Sequence, residues 1–144
     1  CLLFFKKYRK WGVTMLAALL VTALIGEIIL KNVIARPRPC TLFPEIDLLI
    51  SRPDSYSFPS GHSASSFTAA IVLFKCRKAF GIPALALASL IAFSRMFLFV
   101  HYPTDVLAGI ILGISMGLLI CWLMNKFFPE NRQSKDGKIH VSQM

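Results

Sequence analysis

The sequence predicts an all-α fold, a polytopic bundle of transmembrane helices. Three observations predict it. Of 144 residues, 56% are hydrophobic and only 16% charged, and the mean hydropathy is +0.64. A soluble domain carries charge on about a quarter of its residues. The apolar residues gather into four stretches, and the charges lie between those stretches, mostly on one side. Disorder is excluded by the same apolar content and by the 12% of aromatic residues.

The elements follow in order. Trp11 to Leu30 is apolar but for Glu27. His62 to Phe74 opens with small polar residues and is short, so it needs the preceding residues to reach across a bilayer. Ala79 to Val100 is interrupted by Ser89, Ser94 and Arg95, with Pro83 near its start, where a helix tolerates it. Val106 to Met124 carries no charge. A spanning helix takes about 20 apolar residues, which the first and last stretches meet outright. About four spanning helices are therefore expected. Cys1 to Phe5 reads as the end of an earlier apolar helix and lacks the small-residue cleavage site of a signal peptide, so an N-terminal truncation is expected. The organisation is one transmembrane domain over 1–126 and a polar tail over 127–144. The cysteines at 1, 40, 76 and 121 are too far apart for a Cys-x-x-Cys pair and read as small apolar residues. Gly109, Gly113 and Gly117 share one helix face. That face suits packing within the bundle, with a homodimer contact as the second reading.

The net charge of +9 raises the question of nucleic acid. Its placement answers it. If four spans alternate, eleven basic residues and two acids fall on the side of Lys10, Arg77 and Lys126. The other side holds five of each sign and is neutral. Basic loops stay cytoplasmic. The charge thus sets topology in a cell membrane, no nucleic-acid partner is implied, and both termini of this chain are expected in the cytoplasm. Trp11 and Trp122 fall at the cytoplasmic span ends, where interfacial aromatics gather. The long connection from Lys31 to Gly61 and the turn around His101 then lie outside the cytoplasm.

Polar residues in apolar surroundings carry the chemistry. Arg95 within the third stretch is a functional candidate because an intramembrane charge is costly. Pro59-Ser60-Gly61-His62 opens the second stretch. Ser60 suits a helix cap, and free N–H groups at a helix start bind anions beside His62. His101 stands just ahead of the fourth helix, with Pro103 and Asp105 in its first turn. A carboxylate four residues on can bond one ring nitrogen and aim the other. Lys31 and Arg38 add two cations. Three cations, two helix starts, two histidines and a carboxylate compose a site for phosphoryl transfer, where fixed cations and N–H groups stabilise the transferring oxygens. The residues themselves do not choose which histidine is the nucleophile.

The pattern resembles the type 2 phosphatidic acid phosphatase superfamily, the membrane lipid phosphatases related to vanadium haloperoxidases. Its three-part signature is met by Lys31 through Arg38-Pro39, by Pro59-Ser60-Gly61-His62, and by Ser94-Arg95 with His101 and Asp105. The resemblance covers residues 31 to 105. It implies a six-helix bundle whose first two helices are missing from this chain. It implies His101 as nucleophile, Asp105 orienting it, His62 as general acid and then base, and Lys31, Arg38, Arg95, Ser60 and the Gly61 N–H as phosphate holders. It implies a phosphohistidine intermediate, no metal and no cofactor. The partner is a membrane lipid phosphate met in the bilayer at the extracytoplasmic face, with undecaprenyl diphosphate ahead of phosphatidylglycerophosphate and phosphatidic acid. The competing readings are a lipid phosphotransferase on the same residues and a non-catalytic membrane module. Arg36 falls outside the signature and reads as a supporting or headgroup contact. Glu27, one turn before Lys31, reads as its ion-pair partner or as a residue pointing to the interface, ahead of any part in the chemistry. Arg52, Asp54 and Tyr56 are expected along the approach, and His140 in solvent.

Overall fold

A computed structural model describes residues 8–129, and all regular structure within them is helical. The expectations for Cys1 to Phe5, for most of the tail and for His140 fall outside the described residues. The first rod is built of α1 (Arg9–Ala23), a π-helical segment (Leu24–Leu30) and α2 (Lys31–Ile34). Its last carbonyls are closed by Ala35, which takes a left-handed conformation (φ 47°) and donates its N–H to Lys31 O. A single helical turn, α3 (Pro39–Leu42), begins the connection that leads to α4 (Gly61–Cys76). Only Arg77 separates α4 from α5 (Lys78–Phe97), and a short turn leads into α6 (Pro103–Phe127).

Three of these units are long and apolar enough to cross a membrane: Arg9–Leu42, Lys78–Phe97 and Pro103–Phe127. The fourth apolar stretch forms α4, whose 16 residues reach about 24 Å at 1.5 Å per residue. That is short of the ~30 Å hydrocarbon core. The preceding residues do not lengthen the helix as the sequence suggested. Ser60 is extended (φ −72°, ψ 107°) and its hydroxyl accepts the Ser63 N–H, so the helix starts at Gly61. Instead α4 is the centre of the bundle and packs on α1, α5 and α6. Pro83 sits one turn deeper in α5 than a first-turn position.

The interior is made of small residues. Ala18, Ala64, Ala70, Ala88 and Ala92 are buried, as are Thr14, Thr22, Ser63 and Thr68. Large apolar side chains such as Leu20, Ile28, Leu90, Phe93 and Ile111 point outward. This is the packing of helices in lipid, where hydrocarbon solvates the large residues and close backbone approach holds the helices together. The Thr68 hydroxyl links three helices, meeting the Thr22 hydroxyl at 3.0 Å and donating to Gly113 O at 3.1 Å.

The glycine face of α6 is used up here. A Cβ at Gly109 would lie 2.5 Å from Ser60 O, and one at Gly113 would collide with Ala64 O. Gly117 faces the Ile71 side chain. The face packs on α4 and is closed to a second copy, which corrects the homodimer reading. At the same ends of the rods, Trp11 is partly buried against the cluster of Ala18, Val72 and Cys121, whereas Trp122 is exposed beside Lys126.

Candidate active site

The signature residues converge where α2 ends, α4 and α6 begin and α5 stops. A cavity of about 450 Å³ is lined by Lys31, Arg38, Gly61, His62, Arg95 and His101. The other two expected residues, Ser60 and Asp105, are fully buried behind it.

His101 is held at both ring nitrogens. Nδ1 lies 2.8 Å from the Ser57 carbonyl, and Nε2 lies 3.2 Å from Arg38 Nη1. A carbonyl only accepts and a guanidinium only donates. The two contacts therefore assign one tautomer, with the proton on Nδ1 and the Nε2 lone pair toward Arg38. Arg38 is itself fixed, donating to Ser55 O, Ser55 Oγ and Val100 O. Burial, and then the Arg38 charge, push the His101 pKa down from 6.5 to about 4, against the opposing pull of the Ser57 hydrogen bond and Asp105. The ring is neutral at physiological pH. His62 differs: it is exposed toward the cavity, and its ring takes no hydrogen bond among the described residues.

Asp105 does not bond His101 directly, which corrects the expected carboxylate–imidazole contact. Its Oδ2 is 3.8 Å from Nδ1, beyond a hydrogen bond. The carboxylate accepts from the Ser57 hydroxyl, from Arg36 Nη1 at 2.7 Å and from the Tyr102 N–H at 3.0 Å. The last contact caps α6, because Asp105 stands in its first turn after Pro103. Ser57 is thus the relay: its hydroxyl holds Asp105 and its carbonyl holds His101. Arg36 takes the supporting position the sequence suggested: it pairs with Asp105, donates to Thr104 Oγ1 and stacks over the Tyr102 ring at 3.8 Å. Ser55 and Ser57 escaped the sequence reading. Nothing in the local pattern marks the two serines, because their partners come from distant turns.

The start of α4 also differs in part. Ser60 is turned inward. Its Oγ lies 2.9 Å from Ser63 Oγ and its N–H donates to Asp105 O, so its side chain does not reach the cavity. The Gly61 and His62 N–H groups have no helical partner at such a terminus and none among the described residues. Glu27 pairs with Lys31 at 2.5 Å, as its spacing suggested. Arg95 stands in the last turn of α5, half-buried at the cavity wall, with Nε and Nη2 each 3.2 Å from Ser94 Oγ. Arg52 is turned onto the carbonyls of Cys40, Pro44 and Ile46 and braces the connection. It borders a second cavity with Asp54 and Tyr56.

A helical membrane-type bundle whose end gathers cations and two histidines around one cavity defines a class of anion-handling membrane proteins. Within that class the chain belongs to the PAP2 superfamily, which it matches over residues 11–129. It is 37% identical over 119 residues to an undecaprenyl-diphosphatase of Sulfolobus acidocaldarius, covering 82% of this chain and 57% of that protein. It is 33% identical over 116 residues to a decaprenylphosphoryl-5-phosphoribose phosphatase of Mycobacterium tuberculosis, covering 80% and 62%. Its fold is similar to the crystal structure of a transmembrane PAP2 type phosphatidylglycerolphosphate phosphatase from Bacillus subtilis, with a TM-score of 0.71 and 29% identity over 87% of this chain and 64% of that one. The chain spans a little over half the length of the curated relatives it matches. With three helices apolar and long enough to cross, it is a multi-pass membrane protein.

Proposed function

We propose that the protein is a membrane lipid phosphatase that cleaves a terminal phosphate from a lipid phosphate or diphosphate through a phosphohistidine on His101. The observation that carries this reading is the aimed lone pair of His101 Nε2, neutral and facing a cavity of cations. In the first step Nε2 attacks phosphorus, the N–P bond forms and the P–O bond to the lipid breaks. His62 protonates the leaving oxygen. In the second step water gives a proton to His62 and attacks phosphorus, and the N–P bond breaks to release inorganic phosphate. Lys31, Arg38, Arg95 and the Gly61 N–H hold the phosphoryl oxygens and match the charge that develops on them. Asp105 supports His101 through Ser57 and against Arg36.

The reading is metal-independent, because cationic side chains supply the charge a metal otherwise provides. Among the described residues no three His, Cys, Asp or Glu side chains gather as a metal-ligand group. Undecaprenyl diphosphate is the favoured substrate, and the relatives named for polyprenyl lipids support it. The active site faces outward from the cytoplasm, a reading supported by the basic residues at the opposite helix ends.

The test is phosphate release in detergent with EDTA present. Undecaprenyl diphosphate, phosphatidylglycerophosphate and phosphatidic acid are offered in parallel, and His101→Ala is the control. Release that survives EDTA and disappears in the variant supports the histidine mechanism. Release abolished by EDTA sinks it. Product that appears only with an added acceptor alcohol marks a phosphotransferase instead.

A further inference from the structure

Glu27 has no part in the mechanism above, yet its carboxylate sits in the same cavity. It lies in the π-helical segment one turn before Lys31, and its Oε2 takes the Lys31 ammonium at 2.5 Å. Its other oxygen lies over the start of α4: a Cβ at residue 61 would collide with Glu27 Oε1. The side chain is 44% exposed, whereas that of Lys31 is 9% exposed. A carboxylate therefore occupies one of the groups assigned to the phosphate, the Lys31 ammonium, and stands against the Cα of Gly61 without bonding its N–H. It is the same kind of ligand, a planar anion in place of a tetrahedral one. Resting on the phosphatase reading, we propose that Glu27 is an internal competitor for the phosphate site, a residue that limits how tightly the released inorganic phosphate is held.

The physical argument is charge. Three cations around one cavity bind a small dianion well, and a site that retains its product turns over slowly. A carboxylate on Lys31 lowers the net positive charge of the site and must give up the ammonium when phosphate enters. The bound anion is opposed by a like charge within a few ångströms. Lys31 is buried and paired with Glu27, and a buried cation requires such a partner. A purely supporting role makes the opposite prediction, since removing the charge would then release Lys31 and weaken phosphate binding.

The experiment is calorimetric titration of the detergent-solubilised full-length protein with inorganic phosphate at fixed pH and salt, for wild type, Glu27→Gln and Glu27→Ala. Competition predicts that both variants bind phosphate more tightly, by on the order of tenfold. Phosphate should also inhibit their turnover at correspondingly lower concentration. Unchanged or weaker binding in both variants overturns the role of Glu27. Should the variants unfold, infrared difference spectra of wild type decide. A carboxylate band that shifts on adding phosphate supports displacement, and a band that stays unchanged overturns it. If wild type and folded variants bind no phosphate at all, the phosphate-site reading fails and this one with it. Binding by wild type without tightening in the variants removes only the inference about Glu27.

Discussion

His101 is a base kept neutral by its surroundings. The imidazole is buried, and Arg38 faces the nitrogen that would take a second proton. With a folded pKa of about 4 against an ordinary 6.5, protonation is disfavoured in the native state. The sign follows. The unfolded chain binds this proton below about 6.5 and the folded chain only near 4, so the contribution to stability is full above 6.5 and lost as pH falls through 4. Its size is on the order of 3 kcal/mol. In selectively labelled protein, the His101 ring nitrogens should report the neutral Nδ1–H tautomer at pH 5.5, and a charged ring there would disprove the assignment. A second residue-scale prediction concerns Arg36. Arg36→Ala leaves the buried Asp105 with only the Ser57 hydroxyl and the Tyr102 N–H, and should cost about 1.5–3 kcal/mol. A lowered melting temperature checks it. Arg36→Lys should recover part of the loss, since Lys keeps the charge but not the flat stacking on Tyr102.

At the scale of elements, the helix pair α4–α6 controls the site, because Ser60 and Asp105 are tied across it by the Ser60 N–H to Asp105 O bond. The glycines of α6 set the spacing of that pair. Gly113→Ala drives a methyl group into the Ala64 carbonyl, and the backbone of α4 must shift. Gly117→Ala meets Ile71 Cβ and Cγ2 at 3.0 Å and Thr68 O at 3.3 Å, a tight contact that asks for a smaller shift than the one at Gly113. Overpacking of this kind costs about 1–3 kcal/mol, offset by about 1 kcal/mol of helix propensity. Gly113→Ala should therefore lower both the melting temperature and phosphate release, and Gly117→Ala should lower each by less. Equal losses in the two variants would contradict this account of the packing. The π-helical segment belongs to the same scale. It lies where the rod passes the cavity and carries Glu27, and wide turns of this kind recur at functional sites.

For the whole molecule, the test is orientation. Leu49 lies in the connection on the active-site side and is 80% exposed, and Phe128 lies just past the opposite end of α6. In intact cells of a variant otherwise stripped of reactive thiols, Leu49→Cys should react with a membrane-impermeant maleimide. Phe128→Cys should react only after lysis. The reverse pattern would overturn the positive-inside assignment and the extracytoplasmic site with it.

The sequence by itself determined the helical class, the membrane setting and the identity of the cavity's chemical groups. These follow from composition, from the length of the apolar stretches and from residue types whose burial is costly unless they act or pair. Lys31, Arg38, His62, Arg95 and His101 were legible because charge in an apolar chain is conspicuous. The Glu27–Lys31 pair was legible because a four-residue spacing is local. Tertiary structure decided what long-range partners decide. It set the two histidines apart, placing Ser57 and Arg38 on either side of the His101 ring and leaving the His62 ring exposed to the cavity. It moved Asp105 from His101 to Ser57 and Arg36, and it tied the Ser60 N–H to Asp105 O, which keeps that side chain out of the cavity. It spent the glycine face on α4. Ser57 lies 44 residues from His101 along the chain, and no periodicity or local propensity encodes a hydrogen bond across that distance. Such contacts exist only once α4 and α6 have packed.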